Sequence, residues 1–207
     1  MLMPLNDLVD RYDMQITGVL HIGAHEAEEA KAYRRLHIKN VWWIEANPEL
    51  IPNLQAILRR FPGNNLLQAV VTDKDGEEVT FHVTNNMQSS SVLEFGTHPL
   101  VSPDVFFTHD LTLQTATVDT LAREHGISAN FMNLDIQGAE LLALKGAEEF
   151  LEQVDYIYTE INVDELYVDC VRLKDLSKWL ALRGFSLKEK AMAGQAGWGD
   201  ALYIRDK

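Results

Sequence analysis

The sequence of 207 residues has one cysteine, Cys170, and few basic residues. A single cysteine cannot form an intramolecular disulfide, and no zinc-ligand spacing surrounds it, so we expect a packing role. The chain carries 18 Lys and Arg against 31 Asp and Glu, a formal net charge of −13. Because phosphate-backbone binding needs clustered cations, this balance predicts no nucleic-acid partner. The pairs Arg34-Arg35 and Arg59-Arg60 are explained more simply as ends of surface helices.

Long hydrophobic runs are also absent from the sequence. No stretch approaches the roughly 20 apolar residues that a membrane span needs, which predicts no membrane partner. The N-terminal stretch mixes apolar residues with Asp7, Asp10 and Asp13. It lacks the basic start and continuous apolar core of a signal peptide. We therefore expect a cytoplasmic protein in a reducing compartment.

Strand and helix signals alternate along the chain without a linker or an internal repeat. Strands are predicted over residues 18–22, 41–44, 66–71, 79–83, 111–118, 131–135, 156–160, 185–190 and 201–204, and helices over residues 27–36, 48–61, 119–125, 139–151 and 173–180. The long polar segment 85–108 is predicted to be a functional loop. The connection 193–199 is too short for a crossover helix, so the last two strands are expected to pair antiparallel. This pattern predicts one α/β domain over residues 1–207, a sandwich around a mainly parallel sheet.

The first two predicted strands carry the marks of a nucleoside site. Gly23 closes the first strand, and the small Ala24 and the polar His25 lead into a helix, where backbone N–H groups can meet a ligand. Glu45 closes the second strand 22 positions later, where a carboxylate commonly holds ribose hydroxyls. A dinucleotide would usually need three glycines around its pyrophosphate, whereas this turn has one. The pattern favours an adenosyl ligand without phosphates, such as S-adenosylmethionine (SAM), over NAD, which remains the rival.

The fourth strand of the predicted sheet ends in Asp135, and a glycine then turns the chain toward a helix that carries Glu140. Ligands of open α/β sheets bind outside the carboxyl ends of the strands, so both acids lie where chemistry is normally placed. The simpler alternative is that Glu140 complements a helix N-terminus and Asp135 only ends a strand.

Several short blocks carry a family resemblance when they are taken in order. Residues 134–140 read LDIQGAE, residues 144–147 read LKGA, and residues 21–25 read HIGAH. Residues 44–48 read IEANP, and further blocks occupy residues 69–76, 88–91 and 117–121. Together these blocks resemble the motifs of the FkbM-type SAM-dependent methyltransferases, from residue 18 to about residue 160.

The resemblance implies a class I methyltransferase fold, a Rossmann-like three-layer sandwich with seven strands in the order 3-2-1-4-5-7-6 and the seventh antiparallel. It also implies O-methylation of a hydroxyl on a sugar or another small-molecule or glycan acceptor. The positions implied for SAM binding are His21, Gly23, Ala24, His25, Glu45, Ala46, Thr72, Ser90 and Asp135. The chain departs from the family pattern where His21 replaces the first acid, Ala27 the second glycine, and Gln137 the glutamate after Asp135.

Four residues are candidates for activating the acceptor hydroxyl, whose proton must leave during methyl transfer. Asp135 and Glu160 end neighbouring strands, while His98 and His109 lie in or near the long loop and carry imidazole rings, which can act as bases. Asp135, Glu160 and Asn162 also form an oxygen-rich set suited to Mg²⁺, a second way to activate a hydroxyl. A SAM-binding module without transferase activity remains a further alternative. The sequence does not indicate an oligomeric state.

Overall fold

The computed structural model describes residues 1–206, which form strands and helices in alternation. The strands in chain order are β1 (Val19–Ile22), β2 (Val41–Glu45), β3 (Asn64–Gln68), β4 (Val70–Val71), β5 (Glu78–Thr84), β6 (Phe107–Ala116), β7 (Phe131–Leu134), β8 (Tyr156–Asn162), β9 (Phe185–Met192) and β10 (Trp198–Arg205). The helices are α1 (Leu5–Tyr12), α2 (Ala30–Arg35), α3 (Ile51–Leu58), α4 (His98–Val101), α5 (Val118–His125), α6 (Glu140–Lys145) and α7 (Leu173–Ala181), with a 3-10 turn at Phe150–Gln153.

A seven-stranded sheet forms the centre of the fold, in the order β3-β2-β1-β7-β8-β10-β9. The first five strands in that order are parallel, and β10 runs antiparallel to both of its neighbours. This is the class I methyltransferase arrangement, which confirms the predicted fold. Since every parallel strand points the same way, the ends of β1, β2, β7 and β8 meet at one edge.

Helices cover both faces of this sheet because the buried strands are apolar on both sides. In β1, Leu20 and Ile22 pack toward α5, α6 and α7, whereas Val19 packs toward α1, α2 and α3. Alternate residues of a strand point to opposite faces, so His21 shares the face of Val19. A polar histidine thereby enters a layer that is otherwise apolar.

A second, three-stranded sheet in the order β4-β6-β5 stands beside the main one. The chain leaves the main sheet after Ala69, whose N–H donates to the Glu45 carbonyl group (3.0 Å), and Val70 then pairs with Thr115. The β5–β6 pair and the segment that joins these two strands form a wall over the carboxyl edge of the main sheet. This wall encloses the cavity described below.

Several element boundaries differ from the predictions. The predicted strand 66–71 divides into β3 and β4. The predicted helix 139–151 breaks at Gly146, where a Cβ would lie 2.1 Å from the Thr72 carbonyl oxygen. Helix α3 begins at Ile51 rather than at residue 48, because Asn47 caps an isolated turn through its Oδ1 and the Glu49 N–H (2.9 Å). Helices α1 and α4 were not predicted.

Candidate active site

A solvent-open cavity lies at the carboxyl ends of β1, β2, β7 and β8 and contains about 1130 Å³ of empty space. One end is lined by apolar side chains from the second sheet and from turns after strands of the main sheet, which are Leu50, Val70, Val71, Phe81 and Ile136. The other end is lined by carboxylates, which are Glu28, Glu29, Asp135, Glu160 and Asp200. The cavity therefore offers an apolar slot and an acidic end to one ligand.

Glu45 lies between these two ends and connects two turns. Its Oε2 accepts a hydrogen bond from the His25 N–H (2.8 Å), and its Oε1 accepts one from the Asn47 N–H (2.8 Å). The residue is 6% exposed and lines the cavity. Burial raises the pKa of its carboxyl group. Each carboxylate oxygen keeps a further lone pair, so Glu45 can still accept hydrogen bonds from a ligand diol.

The turn after β1 depends on close backbone packing. Gly23 has φ +92°, and a Cβ there would lie 1.9 Å from the Asp135 carbonyl oxygen. Ala27 has φ +55°, the left-handed conformation that glycine adopts most readily. The missing second glycine of the family pattern is therefore replaced by an alanine with glycine-like backbone geometry.

The acidic end is organised by the amide of Gln137. Its Nε2 donates to Asp135 Oδ1 (2.7 Å) and to Glu160 Oε2 (3.1 Å). Desolvation raises the pKa of Asp135 to about 6, although this side chain also contacts cavity solvent. Burial likewise raises the pKa of Glu160 well above its ordinary value. The two acids are thus held together by a shared neutral donor.

The geometry does not support the Mg²⁺ site that the sequence left open as an alternative. The Gln137 amide already occupies one oxygen of each acid. Within residues 1–206, no three or more His, Cys, Asp or Glu side chains stand close enough to hold a metal ion. The described residues thus give no support for a Mg²⁺ site at Asp135, Glu160 and Asn162, and no step of the reaction is assigned to a metal.

Glu140 is fully buried and supports the turn that follows β7. Its Oε1 accepts hydrogen bonds from the Ile136 N–H (3.1 Å) and the Gly138 N–H (3.2 Å). Burial raises the pKa of Glu140 to about 7. The simpler of the two interpretations thus describes Glu140, which shapes the turn that presents Asp135.

His21 lies beneath the cavity in a polar cluster within the sheet. Its Nδ1 contacts the Tyr33 hydroxyl (2.9 Å) and Asn133 Nδ2 (3.1 Å), and its ring stacks on Trp43 with 4.4 Å between centroids. Burial lowers the pKa of His21, so the ring is neutral at physiological pH. The side chain is 2% exposed and contributes to the cavity surface.

A second cavity, of about 1010 Å³ of empty space, adjoins the first and shares its acidic end. Its rings are His98, Tyr167 and Trp198, and its other polar residues include Asn86, Ser89 and Ser102. His98 stacks on Phe95 with 4.4 Å between ring centroids. Its Nδ1 is buried without a hydrogen-bond partner in residues 1–206, and burial lowers the pKa of the ring.

Comparison with known proteins assigns the chain to a family. The family model of the Methyltransferase FkbM domain matches residues 21–187. The chain belongs to the FkbM methyltransferase family. A curated relative of this FkbM chain is the 2-O-methyltransferase NoeI of Sinorhizobium fredii, which is 25% identical over 158 residues. That match covers 72% of the FkbM chain and 65% of the relative, so the FkbM chain spans just under two thirds of the relative's length.

Solved structures share the fold of the FkbM chain at low sequence identity. Magnesium protoporphyrin IX methyltransferase from Synechocystis, solved with bound SAM, has a TM-score of 0.55 and 10% identity, covering 98% of this chain and 76% of that one. A putative RNA methyltransferase from Pyrococcus horikoshii has a TM-score of 0.55 and 12% identity, covering 98% and 81%. These likenesses establish the class I methyltransferase fold.

The structure brings together most of the residues predicted for the site. His21, Gly23, His25, Glu45, Ala46, Ser90, Asp135 and Glu160 line the first cavity of the FkbM chain. His98 lines the second cavity. Three predicted residues lie outside both cavities: the Ala24 N–H donates to the Ile44 carbonyl (3.0 Å), Thr72 Oγ1 donates to the Lys74 carbonyl (3.1 Å), and His109 Nε2 contacts Glu49 (3.1 Å).

Asp200 and Tyr158 are among the cavity residues that were not identified from the sequence. Asp200 comes from the antiparallel strand β10 and pairs with Glu160 across the sheet. Tyr158 donates to Asp200 Oδ2 (2.5 Å) and accepts from the Met3 N–H (3.1 Å). Strand alternation from Glu160 places Tyr158 on the same face, which is the signal that would have found it.

None of the helices in residues 1–206 has the length and apolar character needed to cross a membrane.

Proposed function

We propose that residues 1–207 form one SAM-dependent methyltransferase domain that methylates a hydroxyl oxygen of a sugar or another small-molecule or glycan acceptor. The observation that carries this proposal is the pair of joined cavities. The first contains Glu45, the second is lined by aromatic rings, and the two meet at Asp135 and Glu160. A cofactor site and an acceptor site that share one acidic junction are what a two-substrate transfer needs.

The first cavity fits the three parts of SAM. The apolar slot between Leu50 and Phe81 suits an adenine ring, and the Glu45 carboxylate suits the ribose hydroxyls. The acidic end around Asp135 suits a ligand that carries positive charge. The bound cofactor supplies an electrophilic methyl group on a sulfonium. His25, Ala46 and Ser90 complete the lining of this cavity.

The second cavity fits a polyhydroxylated acceptor. Tyr167 and Trp198 offer aromatic faces for the apolar face of a sugar ring. Asn86, Ser89 and Ser102 add hydrogen-bonding groups around them. Such convergence of aromatic and polar side chains is typical of small-molecule sites. The name of the relative NoeI, a 2-O-methyltransferase, supports oxygen as the methyl acceptor.

His98 is the best-placed base for the acceptor hydroxyl. It is neutral because burial lowers its pKa, and its Nδ1 has no protein partner in the described chain. With SAM bound, the acceptor oxygen would form the O–CH₃ bond as the S–CH₃ bond breaks, and His98 would take up the hydroxyl proton. The Asp135 carboxylate orients the reacting groups, and Glu160, whose pKa burial raises well above its ordinary value, lies beside it.

The function is tested by binding and by turnover. Calorimetry is expected to show binding of SAM and S-adenosylhomocysteine (SAH) but not of NAD, and a panel of glycans, nucleosides and polyols is expected to contain an acceptor that releases SAH. Binding of NAD in place of SAM would favour the oxidoreductase alternative. Binding of SAM without SAH release from any acceptor would favour a cofactor-binding module.

A further inference from the structure

The protonation of His21 is determined by its two neighbours in the sheet. Asn133 Nδ2, which can only donate, lies 3.1 Å from His21 Nδ1 and 3.0 Å from the Tyr33 hydroxyl. A protonated Nδ1 would place two donors against each other at the Asn133 contact. Nδ1 is therefore the acceptor nitrogen, and the single proton of the neutral ring is on Nε2.

The Nε2–H group has no protein partner of ordinary hydrogen-bond geometry among residues 1–206. The Gly23 carbonyl is close enough to favour a proton on the ring, and the residue lines the cavity. Most of the ionisable side chains around this cavity are carboxylates. The neutral His21 ring thus adds an N–H donor to a cavity whose ionisable side chains are mostly acidic.

An amino-acid tail needs both kinds of contact. Its ammonium group binds carboxylates such as Asp135 and Glu160, whereas its carboxylate needs N–H or O–H donors. An acidic residue at position 21 could not supply such a donor. The histidine, held by Tyr33 and Asn133 with its proton on Nε2, can.

We infer that His21 donates its Nε2–H to the carboxylate of the methionine tail of SAM and SAH. The inference rests on the proposed function, since it assumes a SAM site in this cavity. Tyr33 and Asn133 act as positioning residues, because they select the tautomer and orient the ring. His21 stands where the family pattern has an acid. This position therefore offers the cofactor a hydrogen-bond donor instead of an acceptor.

The test compares SAH with 5′-methylthioadenosine, a nucleoside that lacks the amino-acid tail. His21→Phe keeps a ring on Trp43 but removes the donor, so calorimetry is expected to show a roughly tenfold or larger loss of SAH affinity. Affinity for 5′-methylthioadenosine is expected to stay unchanged. His109→Ala is the control: His109 lies outside both cavities against Glu49, so neither affinity should change.

Nitrogen NMR of the histidine ring provides a second readout on the unliganded wild-type protein. We expect the shifts of a protonated Nε2 and an unprotonated Nδ1; a proton on Nδ1 would overturn the inference. An equal loss of affinity for SAH and for 5′-methylthioadenosine in His21→Phe would also overturn the inference. Where that variant does not fold, His21→Ala is measured in the same way.

The outcome for the proposed function is separate. If wild type binds both SAH and 5′-methylthioadenosine and Glu45→Ala loses affinity for both, the nucleoside site is supported. This conclusion does not depend on the result for His21. Wild-type protein that binds neither ligand would overturn both proposals. Selective loss of SAH in the His21 variants supports the inference about His21.

Discussion

Glu45 makes two hydrogen bonds to backbone N–H groups and still faces the cavity. We expect Glu45→Ala to weaken SAM binding at least roughly tenfold, because a charged hydrogen-bond acceptor for the ribose is lost. Calorimetry at fixed pH measures the change. His109→Ala is the control, since His109 lies outside both cavities against Glu49 and should leave the affinity unchanged. Unchanged affinity in Glu45→Ala would reject the ribose assignment.

The raised pKa of Asp135 leads us to expect that cofactor binding depends on pH. Its pKa is raised to about 6, mainly by desolvation, so the carboxylate is ionised at higher pH and neutral at lower pH. A cationic ligand prefers the ionised form, so SAM affinity is expected to fall as the pH is lowered from about 8 to about 5. Calorimetry across this range tests the direction.

Asp135→Asn provides the matched variant for that titration. The amide keeps the shape of the side chain but does not titrate, so the fall in SAM affinity with pH should become shallower. We also expect Asp135→Ala to abolish methyl transfer while circular dichroism stays native. A steeper dependence in Asp135→Asn, or wild-type turnover in Asp135→Ala, would contradict the role given to this carboxylate.

At the scale of elements, the turn between β7 and α6 is built around a buried acid. Burial raises the pKa of Glu140 to about 7, against about 4.3 in an unfolded chain. The folded state binds more protons between these values, so this group makes the free energy of unfolding fall as the pH rises from about 4 to about 7. Above that range the contribution is constant.

Glu140→Gln keeps the neutral form and its Oε1 acceptor at every pH. We expect this variant to exceed wild type by roughly 1–3 kcal/mol in unfolding free energy at about pH 8 and to match it near pH 4. Urea denaturation at both pH values measures the difference. The exposed Glu152→Gln serves as the control and should show no such crossover. A less stable Glu140→Gln at the higher pH would contradict the prediction.

The elements that place the site were predictable because strand ends are marked locally in the sequence. Gly23, Glu45, Asp135 and Glu160 each follow or end an apolar run, and parallel pairing brings such ends to one edge. The antiparallel β9–β10 pair followed from the short connection between its strands. These features depend on nearby residues and on sheet topology.

Other features depend on contacts between residues far apart in the chain. Asp200 joins the acidic end only because β10 inserts beside β8. Helix α6 ends early because Gly146 packs against the Thr72 carbonyl group. The departure of the chain at Ala69 into a second sheet required the partner strand β6. Local periodicity contains no information about these contacts.

At the scale of the whole molecule, the charge balance sets the expected partners. The net charge of −13 opposes association with a polyanion, although a solved structure with the same fold is named a putative RNA methyltransferase. We expect no saturable binding of a short single-stranded RNA at physiological salt, as measured by fluorescence anisotropy. Saturable binding that weakens with added salt would contradict this expectation and reopen RNA as the acceptor.

Gln137 forms hydrogen bonds with four other residues of the site. Besides the two acids, its backbone carbonyl accepts from Ser91 Oγ (2.9 Å) and its Oε1 accepts from the Tyr167 hydroxyl (2.8 Å). A glutamate at this position would remove the shared donor and add a third acidic group beside Asp135 and Glu160. The uncharged amide therefore bridges two acids and allows them to lie close together without adding a charge of its own.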